Sequence, residues 1–410
     1  MISQKKICVV GGGAAGMMAA GTAVLYGADV TIFESTGKLG KKLAITGKGR
    51  CNVTNASTTP EFLESVRKNP RFLYASLNEF DTDATVNFFT SLGVELKTER
   101  GKRVFPVSDK AIDIVRAMQK YCEGAKVVYQ KVKSIKSTEG AFVVTADKEY
   151  PFDAVIIATG GKSYPLTGSD GSGYRLAMKL GHSVTELTPS LIPIESPSPI
   201  CKKMQGLSLK NVAIKIRDKS EKTVYEDFGE MMFTHFGVTG PMILSASAHL
   251  RDVNISELTL SIDLKPALDE KTLNTRLLNE FKDNANKDFV NALGTLLPSK
   301  MIDPFIEYAG IDPRKKVNSI TKEERQQLIT AFKSLRIPLS KFRPIEEAII
   351  TSGGIDVKEI SPKTMESKIV KSLYFAGEVI DVDAYTGGFN LQIAFSTGYL
   401  AGKSAAEIEY

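Results

Sequence analysis

Residues 5–34 read KKICVVGGGAAGMMAAGTAVLYGADVTIFE, and the rest of the chain is arranged around them. Lys5–Val10 is a short apolar run rich in β-branched residues, which predicts a buried strand. Gly11, Gly13 and Gly16 follow at G-x-G-x-x-G spacing. Met17–Leu25 continues in good helix formers, and Ala28–Phe33 predicts a second apolar strand ending on Glu34. Each position has a physical task. Gly11 lets the chain turn sharply out of the strand. Gly13 removes a side chain where a pyrophosphate would approach the backbone, and Gly16 lets helix and strand pack closely. The helix N-terminus offers open N–H groups and a positive dipole end to the phosphates. Glu34 stands eighteen residues beyond Gly16, near where a carboxylate bonds ribose hydroxyls. The glycine spacing alone is weak and also fits a ligand-free βα turn. With strand, helix, strand and acid in order, it points to dinucleotide binding.

The bulk numbers leave room for this. A chain of 410 residues suits two or three domains. Hydrophobic residues at 42% and charged residues at 24% are ordinary for a soluble globular protein, so a normal core is available. No apolar run has the length of a membrane span. The N-terminus enters a strand with no signal-peptide pattern, so a cytoplasmic location is expected. Cys8, Cys51, Cys122 and Cys201 are widely spaced, which favours free thiols and no structural zinc. Three histidines without H-E-x-x-H spacing argue against a metal enzyme. A net charge of +6 is compatible with nucleic acid without arguing for it.

After Glu34 comes STGKLGKKLAITGKGRCNVTNAS. Five basic residues and no acid lie between Lys38 and Arg50. This basic, glycine-rich loop is expected to neutralise an anionic cofactor or substrate, with a solvated lysine loop as the plainer reading. Residues 60–125 read mainly as helices, interrupted by ELKTERGKRVFP, a hairpin with a basic turn. Lys126–Ile135 and Ala141–Ala146 read as strands. Phe152–Thr159 is a buried strand closing on Gly160 and Gly161, whose lack of side chains lets the backbone pass close to a dinucleotide. Composition changes near 189. Residues 191–345 read as an inserted unit, β-rich over 191–265 and mainly helical over 266–345. Residues 1–190 and 346–410 then form one discontinuous domain. The closing segment repeats the opening logic: a strand delivers Gly377 and Glu378, and Gly387 and Gly388 start a long apolar helix.

The stretches GGGAAG with Glu34, KLAITGKGRCNVTN, FTHFGVTGP and TMESKIVKSLYFAGEVIDVDAYTGGFNLQIAFSTGYLAG together closely resemble the BaiN/RdsA-type FAD-dependent oxidoreductases of the two-dinucleotide-binding superfamily. The resemblance runs essentially end to end. It implies an α/β protein: a Rossmann-like, glutathione-reductase-like FAD domain with an inserted β-rich and helical cap. It implies FAD, with Gly11, Gly13, Ala14, Ala15 and Gly16 at the pyrophosphate and Glu34 at the adenosine ribose. Val132 would border the adenine. Arg50, Asn52, Thr159, Gly160 and Gly161 would lie along the cofactor. Gly377 and Glu378 would reach the ribityl and pyrophosphate side, and Gly387, Gly388, Asn390 and Leu391 the isoalloxazine. NADH or NADPH is the expected donor, although no second fingerprint is present.

The same resemblance implies one of two substrates, uridine in ribosomal RNA reduced to dihydrouridine, or a small bile-acid-like enone. Both present a C=C conjugated to a carbonyl, so both call for a proton donor and for groups that polarise the carbonyl. Cys51, beside Arg50 in the basic loop, is one candidate acid if its thiol pKa is lowered there, with a packed or cofactor-facing cysteine as the equally weighted plain reading. His235 is the other, with a buried structural histidine as the favoured plain reading. Tyr164 and Tyr385 read first as packing. RNA would be held by the basic groups of 38–50, 97–103 and 314–316. A redox partner without an organic substrate is a third reading.

Overall fold

The computed structural model describes residues 4–138, 141–251 and 253–407. The chain forms two compact units. One takes the residues up to Ser190 and those from Ile345 onward; the other is Leu191–Pro344.

The first unit is built on a five-stranded sheet in the order Leu373–Phe375, Ala154–Ile157, Lys6–Val10, Asp29–Phe33, Lys126–Val128. All four pairings are parallel. Its central strands are buried on both faces, as parallel strands covered on both sides must be, which is why they read as unbroken apolar runs. The helix Ala14–Leu25 follows the first strand directly and packs against the closing helix Phe389–Ala406. Two glycines permit that approach. A Cβ on Gly398 would lie 2.5 Å from the Ala15 carbonyl oxygen, and one on Gly402 2.3 Å from that of Ala19. A three-stranded antiparallel sheet, Ser134–Thr138, Ala141–Thr145 and Glu149–Phe152, sits in the same unit. So does the hairpin Leu96–Glu99/Arg103–Pro106, which pairs with Thr54–Asn55.

The second unit has its own core, around a seven-stranded sheet whose pairings are all antiparallel. The long hairpin Ser208–Arg217/Thr223–Thr234 is central to it. The helices Glu270–Asp283, Ser299–Ala309 and Lys322–Lys333 belong to this unit.

Three local expectations need correction. Residues 266–345 are not simply helical, because Leu335–Pro338 and Lys341–Phe342 return to the seven-stranded sheet. Lys126–Ile135 is not one strand: Lys126–Val128 belongs to the parallel sheet and Ser134–Thr138 starts the antiparallel one. Within the stretch read as helical, Val66–Lys68 is a strand paired with Asp383–Ala384.

Candidate functional site

The five parallel strands share one carboxyl edge. The first strand lies between Ala154–Ile157 and Asp29–Phe33, so the chain leaves it toward one side and later returns on the other. Connections that diverge in this way open a crevice, where doubly wound sheets receive ligands. Four sets of predicted residues emerge at that edge: the glycine fingerprint, Glu34, Thr159–Gly161 and Gly377–Glu378.

The fingerprint glycines divide by task. Gly11 has φ +107, and a Cβ there would lie 2.5 Å from the Ala158 carbonyl oxygen. A Cβ on Gly16 would lie 1.8 Å from the Gly11 carbonyl oxygen. The protein's own packing demands both. Gly13 differs, because its φ is −81 and a Cβ there would meet no protein atom within 4 Å. It caps the helix without any side-chain bond, and no acid lies in the first turn. The helix therefore presents open N–H groups at Ala14, Ala15 and Gly16.

Glu34 is buried, and its two oxygens accept the N–H of Gly12 at 2.9 Å and of Thr36 at 2.6 Å. Each oxygen keeps a further acceptor direction for a ribose hydroxyl. Val132 is buried in the link between the two sheets. Thr159 Oγ1 and Asn52 Oδ1 are buried without a hydrogen-bond partner among the described residues. Such groups cost about 1–3 kcal/mol each if left unsatisfied; Thr159 Oγ1 faces Gly173, where a Cβ would lie 1.9 Å from it.

The closing segment supplies a second helix start. Gly388 has φ +100 and is the N-cap of Phe389–Ala406, again without a side-chain cap. A Cβ on it would lie 2.3 Å from the Thr54 carbonyl oxygen. The 51–57 stretch thus lies against this turn. Thr54 Oγ1 donates to Gln392 Oε1 at 2.6 Å, and Asn55 Nδ2 donates to the carbonyls of Gly387 and Gly101 at 3.1 and 3.0 Å. The side chain of Asn390 folds back onto the turn. It accepts the Ala384 N–H at 3.0 Å and donates to the carbonyls of Ala384 and Tyr385. Asn390 and Leu391 therefore offer backbone N–H groups to a ligand, while the Asn390 amide shapes the loop.

Several expectations change here. The Cys51 side chain is fully buried, and burial pushes its thiol pKa up to about 12, against a weaker opposing hydrogen bond from Thr46. A lowering by Arg50 does not occur, because the guanidinium is engaged by Glu99 at 2.5 Å and Asp109 at 2.6 Å, over the Phe105 ring. His235 is exposed, not buried. It sits on a turn fixed by the Gly237 N–H bond to Thr234 Oγ1 and the Ser196 N–H bond to the Phe236 carbonyl. Tyr164 is exposed at φ +52, and Tyr385 lies under the Arg67 guanidinium. Of the expected RNA-binding cations, Lys97, Lys102, Lys315 and Lys316 are ion-paired, while Lys38, Lys41, Lys48, Arg100, Arg103 and Arg314 are exposed.

Sequence reasoning missed some participants. A Cβ on Gly12 would lie 2.3 Å from the tip of the Leu39 side chain and 3.0 Å from Glu34 Oε2, so the middle glycine lies close against the Glu34 carboxylate. Asn55 bridges two loops through its bonds to the Gly101 and Gly387 carbonyls. Lys42 pairs with Glu378. The three adjacent glycines at 11–13 were a signal for Gly12; nothing local announced the Lys42–Glu378 pair.

Comparison with known proteins places this arrangement. The model of the HI0933-like protein Rossmann domain matches residues 5–404. The chain is 31% identical to a 3-dehydro-bile acid delta(4,6)-reductase of Clostridium scindens, over 98% of this chain and 100% of that one. It is 29% identical to a ribosomal RNA dihydrouridine synthase of Escherichia coli, over 95% of each chain. Among solved structures, a 3-ketosteroid-delta4-(5alpha)-dehydrogenase from Rhodococcus jostii superposes with a TM-score of 0.52 at 16% identity, over 99% of this chain and 98% of that one, which is a likeness of fold. The open glycine at the first helix start and the fixed acid at the second strand end fit FAD. The chain belongs to the HI0933-like Rossmann family of FAD-dependent oxidoreductases.

Proposed function

We propose that the protein reduces a C=C bond conjugated to a carbonyl, and that its substrate is uridine in ribosomal RNA, converted to dihydrouridine at the expense of NADH or NADPH. Reduced FAD, when bound, supplies the hydride. The chain's own part is to hold the cofactor along the carboxyl edge of the sheet and to present the substrate to it. The open N-terminus of Phe389–Ala406 favours negative charge nearby. His235 is the assigned proton donor, since its imidazole is exposed, whereas the buried Cys51 thiol stays protonated and out of a substrate's reach.

The observation that carries the RNA reading is the exposed cations near the Gly387–Gly388 turn. Arg67 lies over Tyr385, and the hairpin tip with Arg100 and Arg103 is joined to Gly387 through Asn55. Phosphates need such charge, and an unstacked base needs a ring such as Tyr385. The likeness to ribosomal RNA dihydrouridine synthases adds support. A small enone is the second reading. It is favoured by the likeness to the bile-acid reductase and by the ion pairs that occupy Lys97, Lys102, Lys315 and Lys316.

The test is anaerobic. The flavin is reduced with NADH or NADPH and then offered dihydrouridine-free ribosomal RNA or a steroid enone. The expected outcome is reoxidation by the RNA with a +2 Da shift in one fragment, about the mass of two hydrogens. His235→Asn should slow this step without slowing flavin reduction. Reoxidation by the enone alone would transfer the function to small-molecule chemistry, and reoxidation by neither would leave a redox partner.

A further inference from the structure

Glu378 follows Gly377 at the end of the strand Leu373–Phe375. Gly377 has φ +75, and a Cβ on it would lie 2.7 Å from Ala15 Cβ, so this strand end abuts the first turn of the fingerprint helix. On the other side, a Cβ on Gly161 would lie 2.8 Å from Glu378 Oε1. A carboxylate thus stands at the edge where the diphosphate of a dinucleotide is to be received. Two negative groups brought together in a partly dry crevice repel one another, so a bare carboxylate here would oppose binding.

The carboxylate is not bare. Lys42 Nζ lies 2.8 Å from Glu378 Oε2 and donates to Ser163 Oγ at 2.7 Å. Glu378 Oε1 accepts from Ser163 Oγ at 3.0 Å and from the Thr351 N–H at 2.9 Å. The partners come from three separate parts of the chain. The two charged side chains are only 22% and 15% exposed, against 53% and 49% for Lys102 and Glu61, so this pair is poorly screened by solvent. Removing one member of such a pair is far more damaging than removing both.

We propose that Lys42 is a positioning residue for the cofactor: it neutralises Glu378 and so makes the sheet edge acceptable to the FAD diphosphate. Lys42 acts through Glu378 and not by gripping the phosphates itself. This rests on the FAD assignment and is independent of the substrate.

The test is titration of apoprotein with FAD, followed by flavin fluorescence, for the wild type, Lys42→Met, Lys42→Arg, Glu378→Gln and the double variant Lys42→Met/Glu378→Gln. Lys42→Met is expected to weaken Kd by at least about tenfold, Lys42→Arg by less than about threefold, and the double variant to bind as Glu378→Gln does. A double variant that binds markedly more weakly than Glu378→Gln would overturn the proposal, since Lys42 would then act without Glu378. That comparison decides the matter even where Lys42→Met alone fails to fold. A wild-type chain that takes up no FAD would overturn the cofactor assignment and the proposal together.

Discussion

The Cys51 sulfur sits inside the wall of the flavin unit, in a residue held at φ +60, with no solvent exposure. Its thiol pKa of about 12 keeps it protonated through the physiological range, so it contributes no titration limb to catalysis. Cys51→Ala is expected to leave the pH profile of kcat unchanged and to lower stability by about 1 kcal/mol through lost packing. Steady-state rates from pH 6 to 9 with a denaturant melt check both, and a vanished limb or a hundredfold loss of kcat in a folded variant would restore the thiol to the mechanism. The contrast with the fingerprint glycines shows what a residue discloses locally. Gly11 and Gly16 are legible because their tasks depend on neighbours a few positions away. The environment of Cys51 depends on Glu99 and Asp109 drawing Arg50 aside, and no local pattern records that.

At the scale of elements, the joint between the fingerprint helix and the closing helix is made by the absence of side chains. Gly402→Ala would press a methyl group against the Ala19 carbonyl at 2.3 Å. We expect a loss of about 1–3 kcal/mol, typical of overpacking, and weakened FAD retention, because both helix starts belong to the site. Gly294→Ala, where a Cβ meets nothing within 4 Å, is the control and should melt as the wild type does. Equal melting temperatures for Gly402→Ala and the wild type would contradict the close-packed joint. Both helices were visible in the sequence as long apolar runs of good helix formers. Val66–Lys68 was not, because its partner Asp383–Ala384 lies more than three hundred positions away and three residues carry no periodicity. The return of Leu335–Pro338 to the second sheet was hidden because its partner Thr259–Asp263 lies beyond the intervening helices and so short a strand carries little periodicity.

For the whole molecule, alternation of apolar strands with helices at both chain ends marked the discontinuous parallel-sheet unit, and the change of composition near 189 marked where the chain leaves it. The match to the family model over residues 5–404 agrees with a design that needs both ends of the chain to complete one site. The least legible feature was which basic residues are ion-paired, since partners such as Asp109 for Lys97 and Asp288 for Lys316 meet only in the folded chain.

The central claim is that the carboxyl edge of the parallel sheet is an FAD cradle, and Gly13 tests it most directly. Its φ of −81 suits any residue and a Cβ there touches no protein atom within 4 Å, so the fold itself places no demand for glycine. The measurement is FAD titration of apo Gly13→Ala beside the wild type, with melting curves of both apoproteins. The account predicts melting temperatures within about 2 °C of each other and an FAD affinity reduced by at least about tenfold. Unchanged FAD affinity in Gly13→Ala would contradict it.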